Sequence, residues 1–283
     1  MNQLSTERRG QIVSLLVEGM SMRAISRATG VARNTIDKLL SDLGKACADF
    51  QDRTLYNLDT QRVECDEIWS FCYAKQKNVP DEFVGTPGYG DVWTWTAIDA
   101  ETKLIPSWLV GERTTQDCYT FLADLRRRIK PGHRIQMTTD GFGSYPPVVD
   151  PLWRNGIDYA VIVKKYGNAP PDEARRYSPA VCTGIDIRTI AGTPNVEHIS
   201  TSYVERQNLT MRMGMRRFTR LTNGFSKKIE NHAHAISLHF MHYNFGRPHQ
   251  TLTKRYGTPT TPAMAAGVAR YPWSVTQIAA LLD

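Results

Sequence analysis

Apolar residues recur at helical spacing in three short runs near the start of the chain. Ile12, Leu15 and Leu16 make the first, which Gly19 closes. Ala24, Ile25 and Ala28 make the second, with Ser21 placed to cap its start and Thr29-Gly30 to end it. Ile36, Leu39, Leu40 and Leu43 make the third, entered through Val31. The small Ala24, the turn glycine Gly30 and the anchors Ile25, Val31 and Ile36 form a helix-turn-helix pattern. Arg33, Asn34, Asp37 and Lys38 occupy the third helix's other face.

The pattern then changes. A polar stretch with Asp49, Gln51, Asp52, Arg53, Asn57 and Asp59 reads as a domain boundary, and alternation around Val63, Cys65, Trp69 and Phe71 starts a β-rich region. Residues 92–100 and 104–111 read as a hairpin, and 114–129 as an amphipathic helix burying Cys118, Phe121, Leu122, Leu125 and Ile129. Pro131-Gly132 stops that helix. A strand at 134–139 ends at Asp140-Gly141, and a short helix at 144–153 precedes a strand at 156–163. Three strands, helix, strand, helix, strand is the order of a ribonuclease-H-like fold. The fold class is therefore α/β, a mixed sheet flanked by helices, preceded by a small all-α helix-turn-helix domain.

Residues 164–200 read as an insertion broken by Asn168, Pro170, Pro171, Pro179, Gly184, Gly192 and Pro194, with a short strand near 184–190. Further on, Ile229, Ala233, Ile236, Phe240 and Tyr243 form one apolar helical stripe. His232 and His239 are expected on the surface of that helix, in structural or DNA-facing roles, since no HExxH arrangement or cysteine accompanies them. The expected organisation is 1–48 helix-turn-helix domain, 49–60 linker, 61–250 catalytic domain with its insertion at 164–200, and 251–283 C-terminal tail.

Composition narrows the function. A formal net charge of +7 over 283 residues suits a polyanionic partner. With such a partner, Arg33, Asn34, Asp37 and Lys38 sit where a recognition helix meets the major groove, although the same face also suits a plain three-helix bundle. Five scattered cysteines without a CxxC pair argue against a disulfide framework or a thiolate zinc site. No apolar run approaches the roughly 20 residues of a membrane span, so the expected setting is cytoplasmic, with no membrane partner.

Three short strings carry the candidate chemistry: Cys65-Asp66-Glu67-Ile68-Trp69, Thr138-Thr139-Asp140-Gly141-Phe142 and Thr201-Ser202-Tyr203-Val204-Glu205-Arg206-Gln207-Asn208. Two aspartates at strand positions and a glutamate on a helix can converge at one sheet edge. Such oxygen ligands suit Mg²⁺, and two such ions can activate the nucleophile and stabilise the leaving group of a phosphodiester. Alternation puts Asp66 and Glu67 on opposite faces, so only one of them should face the metals. Taken singly, Asp140-Gly141 also fits a strand-ending turn, and Glu205 a surface ion pair with Arg206. Asn208 and Arg212 follow Glu205 at helical spacing, and Arg206, Arg212, Arg216, Arg217 and Arg220 make the region basic, suited to gripping a phosphate backbone.

The three strings resemble the catalytic blocks of DDE transposases of the IS-one insertion-sequence family. The similarity continues through Arg217-Phe218-Thr219-Arg220, Phe225-Ser226-Lys227-Lys228 and Tyr243-Asn244-Phe245-Gly246-Arg247-Pro248-His249, covering about Val63 to Gly267. The resemblance implies a ribonuclease-H-like, integrase-type catalytic domain in which Asp66, Asp140 and Glu205 are the catalytic, metal-binding triad. It implies two Mg²⁺ ions, which Mn²⁺ can replace. Several members carry a cysteine zinc ribbon ahead of the helix-turn-helix, and this sequence has none, so it is either a shorter form or a sequence lacking its start.

The reading is thus a prokaryotic insertion-sequence transposase. It would bind terminal inverted repeats through Arg33, Asn34, Asp37 and Lys38, hold DNA near the triad through Arg206, Asn208, Arg212 and Arg216, and catalyse metal-dependent strand cleavage and strand transfer. Its partners are double-stranded DNA, both element ends and target, and further copies of itself as a homodimer or higher oligomer. The alternatives are a catalytically retired transposase acting as a repressor, and a ribonuclease-H-like nuclease without strand transfer.

Overall fold

Alternation along strand β1 (Arg62–Cys72) sorts its side chains onto two faces, and the rest of the molecule is arranged on those faces. The computed structural model describes residues 4–167, 181–219 and 223–283. After β1 come β2 (Gly90–Asp99), β3 (Trp108–Gly111), β4 (Ile135–Thr139), β5 (Ile157–Gly167) and β6 (Val181–Ala191). They form one mixed sheet in the order β3-β2-β1-β4-β5-β6. The β1–β4 and β4–β5 pairs are parallel, and the other three are antiparallel.

The parallel steps need crossover helices. Among them, α4 (Thr115–Arg128) follows β3 and α5 (Tyr145–Trp153) follows β4. Thr114 starts α4 by accepting a hydrogen bond from the Asp117 N–H. Cys118, Phe121, Leu122 and Leu125 of α4 then pack with Val63, Cys65, Trp95 and Met137 on one face of the sheet. On the other face, Ile68 and Ile98 meet Val204 and Met211 of α6 (Ser202–Gly214) and Ile236 and Phe240 of α7 (Ile229–Met241). The architecture is mixed α/β, with a six-stranded sheet flanked by helices on both faces.

Helices α1 (Thr6–Val17), α2 (Met22–Thr29) and α3 (Arg33–Thr54) open the described chain. Ser21 caps α2 by accepting from the Ala24 N–H, and Gly30 ends it with φ +70°, a left-handed conformation that glycine adopts without a Cβ clash. Ile12, Ile25, Ile36 and Leu39 make a small core among these three helices. A second core joins Val13, Leu40 and Leu43 to Leu238 and Met241 of α7. There α3 crosses α7 at Gly44, whose added Cβ would lie 2.5 Å from the His234 carbonyl oxygen.

Several expectations meet differences. The stretch expected as linker is helical as far as Thr54, and Leu55 and Leu58 beyond it are buried. The apolar stripe continues past Leu43 through Cys47, and Arg128 of α4 fixes the segment by donating to Asp52 at 2.8 Å and to the Leu55 carbonyl at 3.2 Å. The residues expected as a tail form much of α8 (Gln250–Tyr256), together with α9 (Pro262–Ala265) and α10 (Val275–Ala279). Ala263, Ile278 and Ala279 enter the core that contains Val13 and Leu40.

In the expected insertion, β5 runs on to Gly167 and β6 pairs with it at the sheet edge. Asn168, Pro170, Pro171 and Pro179 lie outside the described residues, as does Arg220. His232, expected on a helix surface, is buried with 0% exposure. Its Nε2 lies 3.1 Å from the Ser70 hydroxyl and its Nδ1 2.9 Å from the Ser226 hydroxyl. Burial lowers the pKa of both His232 and His239 to about 3. His232 is a packed ring, whereas His239 is half-buried and lines a cavity with Arg33 and Arg216. No helix among the described residues is long and apolar enough to cross a membrane.

Candidate active site

The parallel ladder between β1 and β4 ends where Cys65 meets Thr139. Asp66 and Asp140 are the next residues on the two strands, so both emerge at the point where the chain after β4 turns away. The Asp140 carboxylate accepts from the Phe142 N–H at 2.9 Å, which fixes the turn through Gly141. A Cβ on Gly141 would press against Val163 of β5 at 3.1 Å.

Asp66 points toward α6, where the Asn208 side-chain amide donates to its Oδ2 at 2.8 Å. Its Oδ1 accepts from the Glu67 N–H at 2.8 Å. Glu67 points to the other face, where Arg113, in the loop between β3 and α4, donates to its Oε2 at 3.1 Å. The alternation expected along β1 therefore holds. Opposite faces do not keep the carboxylates apart, because one oxygen from each of Asp66, Glu67 and Asp140 lies within 4.8 Å of the other two. The ladder has ended there, so Asp140 stands at an open sheet edge within reach of both faces.

Glu205 lies outside that trio. Its Oε1 accepts from the Thr201 hydroxyl at 2.7 Å and pairs with Lys164 of β5. Glu205 still acts on the trio through charge. Burial first, then repulsion from Asp140, with a smaller push from Glu205, raises the Asp66 carboxyl to about 7. Burial and the Asp140 charge likewise raise Glu67 to about 8, with Arg113 opposing them. Arg113 also lies 3.7 Å from Asp140 and stacks over the Phe142 ring at 4.0 Å.

Glu64 ties the two halves of the site together. It is 3% exposed, and its Oε2 accepts from the N–H groups of Tyr203 at 2.7 Å and Val204 at 3.1 Å. The first turn of α6 has no side-chain cap from Thr201, so a carboxylate on β1 supplies that role from across the fold.

The donor set fits a hard divalent cation. All the candidate ligands are oxygens, and burial first, with mutual repulsion adding to it, raises Asp66 and Glu67, a cost that a bound cation would relieve. The Tyr145 hydroxyl lies beside Glu67 as a hydrogen-bond partner, whereas Asn208 Oδ1 is a buried acceptor without a hydrogen-bond donor. Cation-bound water would supply that polarity.

The expected DNA-facing residues fall into three places. Arg33, Asn34 and Lys38 are exposed at the start of α3, and Lys38 pairs with Asp42 at 2.6 Å. Arg33 and Asp37 share a cavity of about 830 Å³ with Arg216 and Arg217. Asn208 is 4% exposed and faces Asp66, while Arg206 is exposed and Arg212 half-buried.

The sequence does not single out Glu64, Arg113 or Lys164. Glu64 had a signal, a charged residue in phase with Asp66 and Ile68 on a strand buried on both faces. Arg113 and Lys164 had none, since a loop arginine and a strand-end lysine look alike wherever they occur.

No protein-family model matches the sequence, and no curated protein matches it. Among solved structures, the chain is similar to a piggyBac transposase synaptic complex with hairpin DNA. The identity is 12% over 99% of this chain and 72% of that chain, with a TM-score of 0.41. It is similar to the Mos1 transposase paired-end complex with left transposon end at 13% identity, over 56% of this chain and 60% of that chain, with a TM-score of 0.23. The Mos1 strand transfer complex gives 11% identity over 96% and 81%, with a TM-score of 0.25. Similarity at this level says nothing of the chain's activity.

Proposed function

We propose that this chain is a DDE-type DNA transposase of the insertion-sequence kind, with a ribonuclease-H-like catalytic domain. The observation that carries the reading is the meeting of Asp66, Glu67 and Asp140 oxygens within 4.8 Å, beside the helix that bears Glu205. The sequence resemblance in the three blocks supplies the reaction class.

Asp66, Asp140 and Glu205 would hold Mg²⁺, with Mn²⁺ able to substitute, and Glu67 stands close enough to join them. Bound Mg²⁺ supplies charge neutralisation at a phosphodiester and a lower pKa for the attacking water or 3′-hydroxyl. The chain's own residues prepare that site. Asn208 orients the Asp66 carboxylate, and Glu64 holds the first turn of α6 against β1. Arg113 offsets the charge of Glu67 and Asp140. Helices α1 to α3 would bind the terminal inverted repeats, with Arg33 and Asn34 at the exposed start of α3. Synapsis of two ends calls for a dimer or higher assembly on DNA.

The test is cleavage and joining of a duplex carrying the inverted repeat that flanks the coding region, with Mg²⁺ or Mn²⁺. Asp66→Asn, Asp140→Asn and Glu205→Gln proteins are expected to leave the duplex intact while still binding it. Cleavage that persists in all three variants overturns the assignment. Repeat binding without cleavage in the unaltered protein identifies a repressor, and cleavage without joined products a nuclease.

A further inference from the structure

Helix α6 has a second equipped flank. At about 100° per residue, Glu205, Asn208 and Arg212 share one side, and Tyr203, Arg206, Gln207 and Thr210 share the other. The second group lines a cavity of about 350 Å³ together with Lys103, Arg247 and His249. No carboxylate among the described residues lines it.

We propose that this cavity binds a phosphate group, as a site separate from the carboxylates. Two guanidinium groups, Arg206 and Arg247, face it from α6 and from the segment before α8, and such forks suit phosphate oxygens in pairs. Lys103 adds an ammonium group held in place, its Nζ donating to the Ala100 carbonyl and its charge partly offset by Glu64, Glu101 and Asp99. The residue is 5% exposed, its backbone adopts φ +60°, and its Nζ lies 3.1 Å from the centre of the Tyr203 ring.

Two unsatisfied nitrogens point to a missing acceptor. Gln207 is 2% exposed, and its buried Nε2 has no hydrogen-bond partner. The buried Nδ1 of His249 has none either. Gln207 Nε2 is a donor that a phosphate oxygen would satisfy, and so is His249 Nδ1 in its protonated tautomer. Burial, and then the charges of Lys103 and Arg247, lower the His249 pKa.

The phosphate has two sources, a phosphodiester of the DNA backbone or a free phosphate-bearing molecule. The first rests on the transposase reading, and the phosphate chemistry does not. The experiment is calorimetric titration of the full chain with inorganic phosphate, and separately with a 20-base-pair duplex, both without divalent metal. Arg206→Gln and Arg247→Gln are compared with Arg270→Gln, an exposed arginine that does not line the cavity.

Each cavity variant is expected to weaken phosphate binding at least about tenfold, as the loss of a charge-assisted hydrogen bond would, with Arg270→Gln unchanged. A parallel loss of duplex affinity assigns the cavity to the DNA backbone. Unchanged duplex affinity assigns it to a free phosphate-bearing ligand. The proposal is overturned if neither phosphate nor duplex affinity depends on Arg206 and Arg247 more than on Arg270. Failure of the transposase reading looks different, as absent Mg²⁺-dependent cleavage with phosphate binding intact.

Discussion

Asn208 on α6 donates its side-chain amide to Asp66 on β1 at 2.8 Å, joining the helix that carries Glu205 to the strand that carries the first aspartate. Groups that orient metal-ligating carboxylates commonly change affinity or activity by about 10- to 100-fold when removed. Asn208→Ala is expected to lower cleavage by that order and to raise the Mg²⁺ concentration needed for half-activity. Steady-state cleavage against Mg²⁺ measures both. An unchanged Mg²⁺ requirement would show that the Asn208 contact serves packing alone.

The raised carboxyls predict an unusual pH dependence. Glu64 and Asp66 are each raised to about 7 and Glu67 to about 8, chiefly by burial, whereas their ordinary values are 4.5, 3.8 and 4.5. A folded pKa above the unfolded one means that the native state binds the proton more tightly. The stabilisation is complete below about pH 4 and is lost as pH rises through 7 to 8. Metal-free protein is therefore expected to lose melting temperature over that range from these groups, and Glu67→Gln to reduce the slope. Mg²⁺ binds the ionised forms, so its stabilising effect is expected to be larger at pH 8 than at pH 5. Thermal melts with and without chelator at both pH values check the sign.

Much of this site could be read from the chain alone. Asp140-Gly141 at a strand end and alternation around Asp66 already placed two carboxylates, and the helix at 114–129 appeared as α4 with its buried residues as read. Glu67 comes near Asp140 although alternation holds along β1, which stays paired with β2 through Cys72: Asp140 lies just past the end of the β1–β4 ladder, and a strand's own pattern does not show what a neighbouring strand brings beside it. By composition Asp49, Asp52 and Arg53 look like linker, yet α3 runs on to Thr54. The Arg128 contacts that hold this segment come from a helix more than 70 residues away in sequence. Periodicity reports which residues face inward, and it carries no information about pairings of that range.

The α3–α7 crossing tests the same limit. Gly44 lies where an added Cβ would come within 2.5 Å of both Cβ and the carbonyl oxygen of His234, and Ser237 donates to the Gly44 carbonyl at 2.7 Å. Gly44→Ala would raise helix propensity in isolation, but here it forces the helices apart. The expected net effect is a loss of about 1–3 kcal/mol, the usual cost of overpacking a fitted contact. Urea unfolding measures it, and stabilisation by the alanine would show that this crossing is looser than described.

The cavity shared by α3 and the segment after α6 makes the last prediction quantitative. Arg33 and Arg216 both line it and are both exposed, so either can reach a phosphate without unfolding anything. Each phosphate neutralised contributes about −0.9 to the slope of log affinity against log salt. Arg33→Gln and Arg216→Gln are each expected to make that slope shallower by about 1, and the pair by about 2 if they contact different phosphates. Lys38 serves as the internal comparison. It already pairs with Asp42 one turn away at 2.6 Å, so part of its charge is offset before DNA arrives, and the slope change of Lys38→Gln should be smaller than that of Arg33→Gln. Fluorescence anisotropy of a labelled duplex across a salt series reads all four proteins. A slope unaltered in the double variant would remove this cavity from the DNA path, and the helices of the first 54 residues would then need another face for it.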